Sequence, residues 1–324
     1  MMNNNLLKPL LLTPPVKDYI WGGTRLIREF GRQCSSGKAA ESWELSCHKD
    51  GCSVIASGEF AGKTLADFIG EHSEVLGYNC EKYQAFPVMV KLIDACDNLS
   101  VQVHPDDDYA LKVEGEFGKT EMWYVVDCEE GATLIYGFKE ELTRDEFRQA
   151  IEENTLMDKV NVVPVKKGDV FLINAGTLHA IGRGILIAEI QQNSNSTYRV
   201  YDYGRVGADG KPRELHIEKA LDVTKLTPSE PFMAAEPVEL KGSFNRLLAE
   251  NDIFFVEHEQ VFSEVELCAD SDSFQHILVL DGEGVLSADS GETELKKGSS
   301  VFIPAGMGEY VIKGNCSILI TEAK

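Results

Sequence analysis

The sequence predicts a mainly β protein: two β-barrels in tandem with a few helices. Three observations carry this. Short β-like runs bounded by Gly, Pro and Asp dominate residues 86–191. From residue 240 to the end at 324 the pattern is again nearly all strand. The chain also resembles itself. Lys-Lys-Gly-Asp-Val-Phe-Leu-Ile-Asn-Ala-Gly-Thr-Leu-His (166–179) aligns without gaps on Lys-Lys-Gly-Ser-Ser-Val-Phe-Ile-Pro-Ala-Gly-Met-Gly-Glu (296–309), and 122–127 has a counterpart in 276–281. Such self-similarity marks a duplicated unit.

In chain order, Thr64 is placed to cap a helix over 65–76. Strands follow at 86–93 and 99–103. Asp106–Asp108 then open a helix over 106–113, where their charge complements the helix dipole. Strands at 122–126 and 133–135 lead to Thr143-Arg-Asp-Glu146, a capping-box pattern that starts a helix running through 151. Strands at 170–173 and 185–191 and a helix at 214–223 complete the first unit. Residues 227–237, with three prolines, read as a connector. The expected division is a metal-bearing domain over 1–232 and a second barrel over 233–324.

Composition bounds the function. Hydrophobic content of 43% and charged content of 26% over 324 residues are those of an ordinary globular protein with a full core. A net charge of −22 argues against nucleic acid or an anionic membrane surface as partner, and makes any phosphate-bearing substrate depend on a local basic pocket. Eight cysteines are scattered without a CxxC pair, which fits reduced thiols, with Cys96 and Cys128 expected as small buried hydrophobes. The N-terminal stretch has no basic n-region, is broken by Pro9, Pro14 and Pro15, and no run reaches membrane-spanning length. A cytoplasmic protein is expected.

The chemistry concentrates in a few short runs. In a strand, alternate side chains share a face. Ser100, Gln102 and His104 therefore point one way, backed by Val101 and Val103, and Lys119 and Glu121 share a face in the next strand. His179 follows a β-like run. Gln102, His104, Glu121 and His179 offer two nitrogens and two oxygens, a set that zinc accepts and that also suits Mn, Fe or Co. Taken singly, each has a bland reading: a turn histidine beside Pro105, a solvent-facing Glu121. Lys91 lies inside an apolar strand, where a lysine needs a partner, and a pocket role follows. Arg205 reads as a turn residue. Glu44 and His48 read as braces for the barrel. In the second copy Glu309 stands for His179 and Gln275 for Glu121, with no match to the 102/104 strand. It is expected to lack a working metal site, the rival being a second ion on His276 and Glu309.

The Gly-turn followed by Asn-Ala-Gly (174–176) or Pro-Ala-Gly (304–306) resembles the cupin family of small double-stranded barrels, which alone implies only a fold. Five ordered motifs are more specific: Phe-Pro-Val-Met-Val-Lys-Leu-Ile-Asp-Ala (86–95), Leu-Ser-Val-Gln-Val-His-Pro (99–105), Gly-Lys-Thr-Glu-Met-Trp-Tyr (118–124), Ala-Gly-Thr-Leu-His-Ala (175–180) and the run from Ala188 to Arg205. With Trp21-Gly-Gly and Glu41-Ser-Trp-Glu-Leu-Ser, they resemble type I mannose-6-phosphate isomerases of the short bacterial form.

The resemblance implies a zinc-dependent aldose–ketose isomerase that interconverts mannose 6-phosphate and fructose 6-phosphate by proton transfer through an enediolate. It implies one Zn²⁺ per chain on Gln102, His104, Glu121 and His179, with Gln102 the ligand further from the metal. It also implies Arg199 as catalytic arginine and Glu189 as a pocket carboxylate, taken here as the candidate base, with zinc-bound water or a lysine as rivals. Ser100, Lys119 and Lys91 are expected to bind substrate, the first two at its phosphate. The expected partner is a small sugar phosphate, and the expected state a monomer or homodimer. Two alternatives remain at this stage: an Fe(II) cupin oxygenase, which uses the same two-histidine, one-carboxylate face, and a non-catalytic sugar-phosphate sensor.

Overall fold

The protein is described from a computed structural model covering residues 6–207 and 210–324. The first half is a sandwich of two antiparallel sheets. One has five strands in the order Val160–Pro164, Thr133–Phe138, His179–Ala180, Val101–Val103, Tyr198–Tyr201. The other has six, in the order Val170–Ile173, Glu121–Cys128, Ile185–Gln192, Val88–Ala95, Glu41–Leu45, Val16–Lys17. The pairing leaves the two sheets open at their edges, so the expected barrel is a jelly-roll sandwich and not a closed cylinder.

Both outer faces are covered, which explains why several strands read as unbroken apolar runs. Val101, Val103, Tyr198 and Val200 pack outward from the five-stranded sheet against Phe147, Ile151, Ala220 and Leu221 of the helices Arg144–Glu152 and Ile217–Val223. Val88, Val90, Leu92, Met122, Tyr124, Val126 and Leu186 pack outward from the six-stranded sheet against Phe254, Phe274, Leu278, Phe302 and Leu319 of the second half. The alternate residues Lys91, Glu121, Trp123 and Glu189 must then face the interior of the sandwich, and all four are buried. Lys91 sits in an apolar strand because one face of that strand is core and the other is site.

Among the described residues the second half contributes eight strands to a ten-stranded sheet dominated by the long paired strands Gln275–Ala288 and Gly308–Ala323. Its interior is filled by Val265, Ile277, Val279, Leu286, Val301, Ile303, Ile312 and Ile318. The first strand of the chain, Leu10–Thr13, pairs with Ser300–Ile303 of this sheet and with Val54–Ile55. It thereby stitches the N-terminal segment to the C-terminal sheet. A buried clamp adds to this: Arg32 Nη2 donates to Glu44 Oε2 and to the Gly298 carbonyl, both at 2.6 Å, while Ser300 Oγ donates to the Glu44 carbonyl at 2.8 Å. Glu44 thus braces the barrels, as expected.

The helices fall where their caps put them. Asp106 and Thr64 accept the backbone N–H groups of Tyr109 and Asp67, and Thr143 with Glu146 forms the reciprocal capping box. The helix expected over 65–76 breaks at His72 into Leu65–Glu71 and a short 3₁₀ turn, Ser73–Leu76. Residues 227–237 contain no helix or strand. All eight cysteines are free thiols; Cys128 is partly buried, and Cys96 is exposed because it lies just past the end of strand Val88–Ala95. Among the described residues no helix is long and apolar enough to cross a membrane.

Candidate active site

His104, Glu121 and His179 meet inside the sandwich. Strand Val101–Val103 delivers His104 at its exit, and cross-strand pairing sets His179 opposite Gln102. Glu121 opens its strand opposite Ile173. Gly118 permits this approach: its N–H donates to Asp107 Oδ1 at 2.7 Å, and a Cβ there would lie 2.4 Å from the Asp106 carbonyl carbon. Lys119 N then donates to the Pro105 carbonyl, tying the Glu121 strand to the turn after His104.

The donor chemistry of the triad is decided by its neighbours. His104 Nδ1 lies 2.9 Å from the Ser196 carbonyl, and His179 Nδ1 lies 2.8 Å from the Thr177 carbonyl. A carbonyl only accepts, so each Nδ1 carries the proton and each Nε2 carries a lone pair. Burial pushes both imidazoles toward neutrality, His179 down to about 4 and His104 well below its usual range, with Lys119 adding to the effect on His104. The two Nε2 atoms lie 3.1 Å apart, and Glu121 oxygens lie 3.4 Å from His179 Nε2 and 3.6 Å from His104 Nε2. Neither Glu121 oxygen accepts an aligned hydrogen bond; Lys119 Nζ stands 3.1 Å from one of them as an ion-pair partner. Lone pairs and a carboxylate facing one another in a dry site repel unless a cation lies between them. A tetrahedral ion with bonds of about 2.1 Å spaces its ligands about 3.4 Å apart, close to these three separations. The set fits a divalent metal. Gln102 is the adjacent fourth group: its Nε2 lies 3.4 Å from His179 Nε2, and its Oε1 accepts the Ser100 hydroxyl at 3.4 Å. A half-turn of that amide presents oxygen instead.

Above the triad lies a cavity of about 300 Å³ lined in part by Gln102, Lys119, Glu189, Lys91, Glu41, Ser100, Arg199 and Arg213. Its inner end holds a closed charge network. Lys91 Nζ stands 3.2 Å from Glu189 and 3.7 Å from Glu41, and Lys119 Nζ stands 3.9 Å from Glu189. Burial would push Lys91 down, but Glu41 and Glu189 hold it above its ordinary value. Burial likewise opposes ionisation of Glu189, and Lys119, Lys91 and the Trp123 indole together hold it below the usual carboxylate range. Trp123 Nε1 donates to Glu189 Oε2 at 3.0 Å. Glu121 is pushed up, by burial first and the Glu189 charge second. Two lysines against Glu41, Glu121 and Glu189 leave one negative charge, which suits a cation close by.

The outer end is different. Arg199 Nε donates to Ser100 Oγ at 3.3 Å and Nη1 to the Glu214 carbonyl at 3.0 Å; among the described residues no carboxylate lies within ion-pair distance of it. Arg205 and Arg213 share the Asp202 carboxylate and Arg205 also reaches Asp97 Oδ2 at 3.5 Å, so three guanidinium groups face two acids. Burial, then the charge of Arg213, push Arg199 below its ordinary value. This is a local excess of positive charge in a strongly acidic chain.

All nine residues singled out from the sequence (Lys91, Ser100, Gln102, His104, Lys119, Glu121, His179, Glu189 and Arg199) line this cavity or the triad beneath it. Sequence reasoning missed Arg213 and Asn195, which sit on loops without periodicity, and gave Glu41 no role although its motif was noted. His48 faces Asp50 and Glu116, outside the cavity. Asp106 caps a helix, and Arg205 bonds the Asn98 carbonyl and Asp202 in its turn. In the second half, His276 points into the core between the halves and bonds Ser300, whereas Glu309 is exposed. These two cannot share an ion.

Comparison with known proteins places the chain in a family. Residues 10–134 match the family model "Phosphomannose isomerase type I, catalytic domain", and residues 246–322 match "Mannose-6-phosphate isomerase, cupin domain". The chain is 40% identical to a probable mannose-6-phosphate isomerase, GmuF, of Bacillus subtilis, over 97% of this chain and 99% of that protein. The chain belongs to the type I mannose-6-phosphate isomerase family. A second relative, the mannose-6-phosphate isomerase of Streptococcus mutans, is 38% identical over 98% of this chain and 99% of its own. The crystal structure of the mannose 6-phosphate isomerase from Bacillus subtilis superposes with a TM-score of 0.92 at 37% identity, covering 97% of this chain and 99% of that one. More distant members, such as the Salmonella typhimurium phosphomannose isomerase at 18% identity and a TM-score of 0.79, share the fold.

Proposed function

We propose that this chain interconverts mannose 6-phosphate and fructose 6-phosphate, with zinc held by His104, Glu121 and His179 and with Gln102 beside them. The observation that carries the reading is the convergence of two imidazole lone pairs and an uncapped carboxylate beneath a cavity whose outer end is cationic. When bound, a divalent cation polarises the substrate carbonyl and stabilises the developing oxyanion.

The chain's own residues supply the rest. Glu189, ionised and anchored by Trp123 and Lys91, is the base that carries a proton between C2 and C1 through an enediolate. Lys119 and Lys91 are neutralised by carboxylates, so their part is to fix Glu189 and Glu121. The phosphate is assigned to Ser100, Arg199 and Arg213, where positive charge is in excess and a guanidinium fork can grip two oxygens. A requirement for such an anion subsite favours a phosphosugar over the oxygenase alternative.

The test is a coupled assay of fructose 6-phosphate formed from mannose 6-phosphate, run as purified, after chelation and after zinc is restored. Activity should vanish with the metal, return with it, and be absent in Glu121→Gln. A folded, zinc-loaded protein without turnover would refute the isomerase assignment.

A further inference from the structure

We propose that Cys47 and Cys52 are a reversible thiol–disulfide pair, a modification site that reacts with low-molecular-weight disulfides. It lies outside the metal site and does not depend on the isomerase reading. The two cysteines are directly opposed in the small hairpin formed by Cys47–His48 and Gly51–Cys52. The next rung outward is hydrogen-bonded, Ser53 N to the Ser46 carbonyl at 2.9 Å, so the Cys47–Cys52 rung belongs to the alternate, non-hydrogen-bonded kind. In that kind the Cα atoms stand about 4.5 Å apart, within the range of about 4.4–6.8 Å that a disulfide spans. The pair needs no rearrangement of the strands to close.

The two sulfurs differ in character. Cys52 Sγ accepts the Ala66 N–H at 3.4 Å, and its own thiol donates to the Ser53 carbonyl at 3.5 Å. The adjacent Cys47 thiol draws Cys52 down to about 6, whereas burial drives Cys47 up. Cys52 is therefore the nucleophile at neutral pH and Cys47 the resolving thiol. The remaining six cysteines have no opposed cysteine on a neighbouring strand. Both members of the pair are partly exposed. The hairpin tip reaches the cavity rim, where Asp50 Oδ2 accepts the Asn195 amide at 2.9 Å.

The chemistry balances with a disulfide RSSR as oxidant. Cys52 thiolate attacks one sulfur of RSSR, forming a mixed disulfide and releasing RS⁻. The Cys47 sulfur then attacks Cys52 Sγ, forming the intramolecular bond; the second RS⁻ leaves, and the thiol protons convert both to RSH. Two protein thiols are oxidised and one RSSR is reduced.

The experiment is exposure of the zinc-loaded enzyme to oxidised glutathione at pH 7, followed by alkylation and peptide mass mapping. The expected result is a Cys47–Cys52 cross-link in the native chain, reversed by dithiothreitol. In Cys47→Ser, glutathione should instead stay trapped on Cys52, added about tenfold faster than on the exposed Cys96 or Cys268. The inference is overturned if the native chain carries only mixed disulfides. It is also overturned if Cys52 stays unmodified in Cys47→Ser while Cys96 and Cys268 react. The native-chain map is decisive even if the variant fails to fold.

Discussion

Replacing Trp123 by phenylalanine removes one bond from the proposed base and leaves the base itself in place. The indole N–H donates to Glu189 Oε2 at 3.0 Å, with both side chains buried. A hydrogen bond to a charged group contributes about 1.5–3 kcal/mol. At 1.36 kcal/mol per pKa unit, its loss raises the Glu189 pKa by about 1–2 units. The sign follows from the state that is stabilised. The bond favours the carboxylate, so in the native protein it helps hold Glu189 below the ordinary range, and without it the acid form persists to higher pH. Turnover requires the ionised form, so the acidic limb of the kcat profile should move up by about 1–2 units, with the neutral plateau changed much less. Trp123 also meets His179 edge-on, with ring centroids 5.3 Å apart. Zinc content must therefore be measured at each pH, so that metal loss is not read as titration. An unmoved limb in a folded, fully metallated Trp123→Phe enzyme would refute the assignment of Glu189 as base.

The remaining predictions concern the anion end and the scaffold. Arg213→Met should raise KM for mannose 6-phosphate about 10–100-fold, the equivalent of one or two charge-assisted bonds, with kcat changed only a few-fold; an unchanged KM in steady-state kinetics would remove Arg213 from the phosphate site. Arg32→Met strands the buried Glu44 carboxylate between the halves and should cost about 3–5 kcal/mol in urea unfolding; a loss below about 1 kcal/mol would show that the clamp is dispensable. Thr143→Ala deletes a capping box far from the cavity. It should cost about 1 kcal/mol of stability and leave kcat/KM intact, which denaturation and kinetics on one preparation can check together.

What the sequence made legible follows strand alternation. Ser100, Gln102 and His104 share the inner face because Val101 and Val103 take the helix-covered outer one. One period-2 argument placed all five. The same reasoning left Lys91 as an anomaly, since a strand buried on both faces shows no alternation; only the second covering layer explains why that position faces inward. Arg213 was invisible for another reason. It lies in a loop and owes its place to Asp202, a contact eleven residues away with no periodic signature. The pairing of Cys47 with Cys52 was likewise hidden, because the absence of a CxxC motif says nothing about two cysteines meeting across a hairpin. The expectation of phosphate at Lys119 rested on its residue type and on the family resemblance, whereas the structure sets its ammonium beside Glu121 and Glu189 at the metal end.

The two halves show how little separates a site from a core. Glu121 sits opposite Ile173, and its counterpart Gln275 sits opposite Ile303, so the repeat preserves the register of this strand pair. In the first half the inward positions carry Lys91, Glu121 and Glu189, whose charges are set by one another and by Lys119, with the Trp123 indole donating to Glu189, and they leave room for a ligand. In the second half the corresponding interior is closed by Ile277, Val279, Val301 and Ile318, while Gln275 is satisfied by Tyr310 and Glu322. A half-satisfied polar network costs more than an apolar core. Losing the histidine pair therefore favours replacing the whole inner layer with aliphatic side chains. On that argument, restoring His at position 309 alone would create no metal site: Glu309 lies on the exposed face of strand Gly308–Ala323, and the opposing interior is aliphatic apart from Gln275, whose oxygen already accepts the Tyr310 hydroxyl.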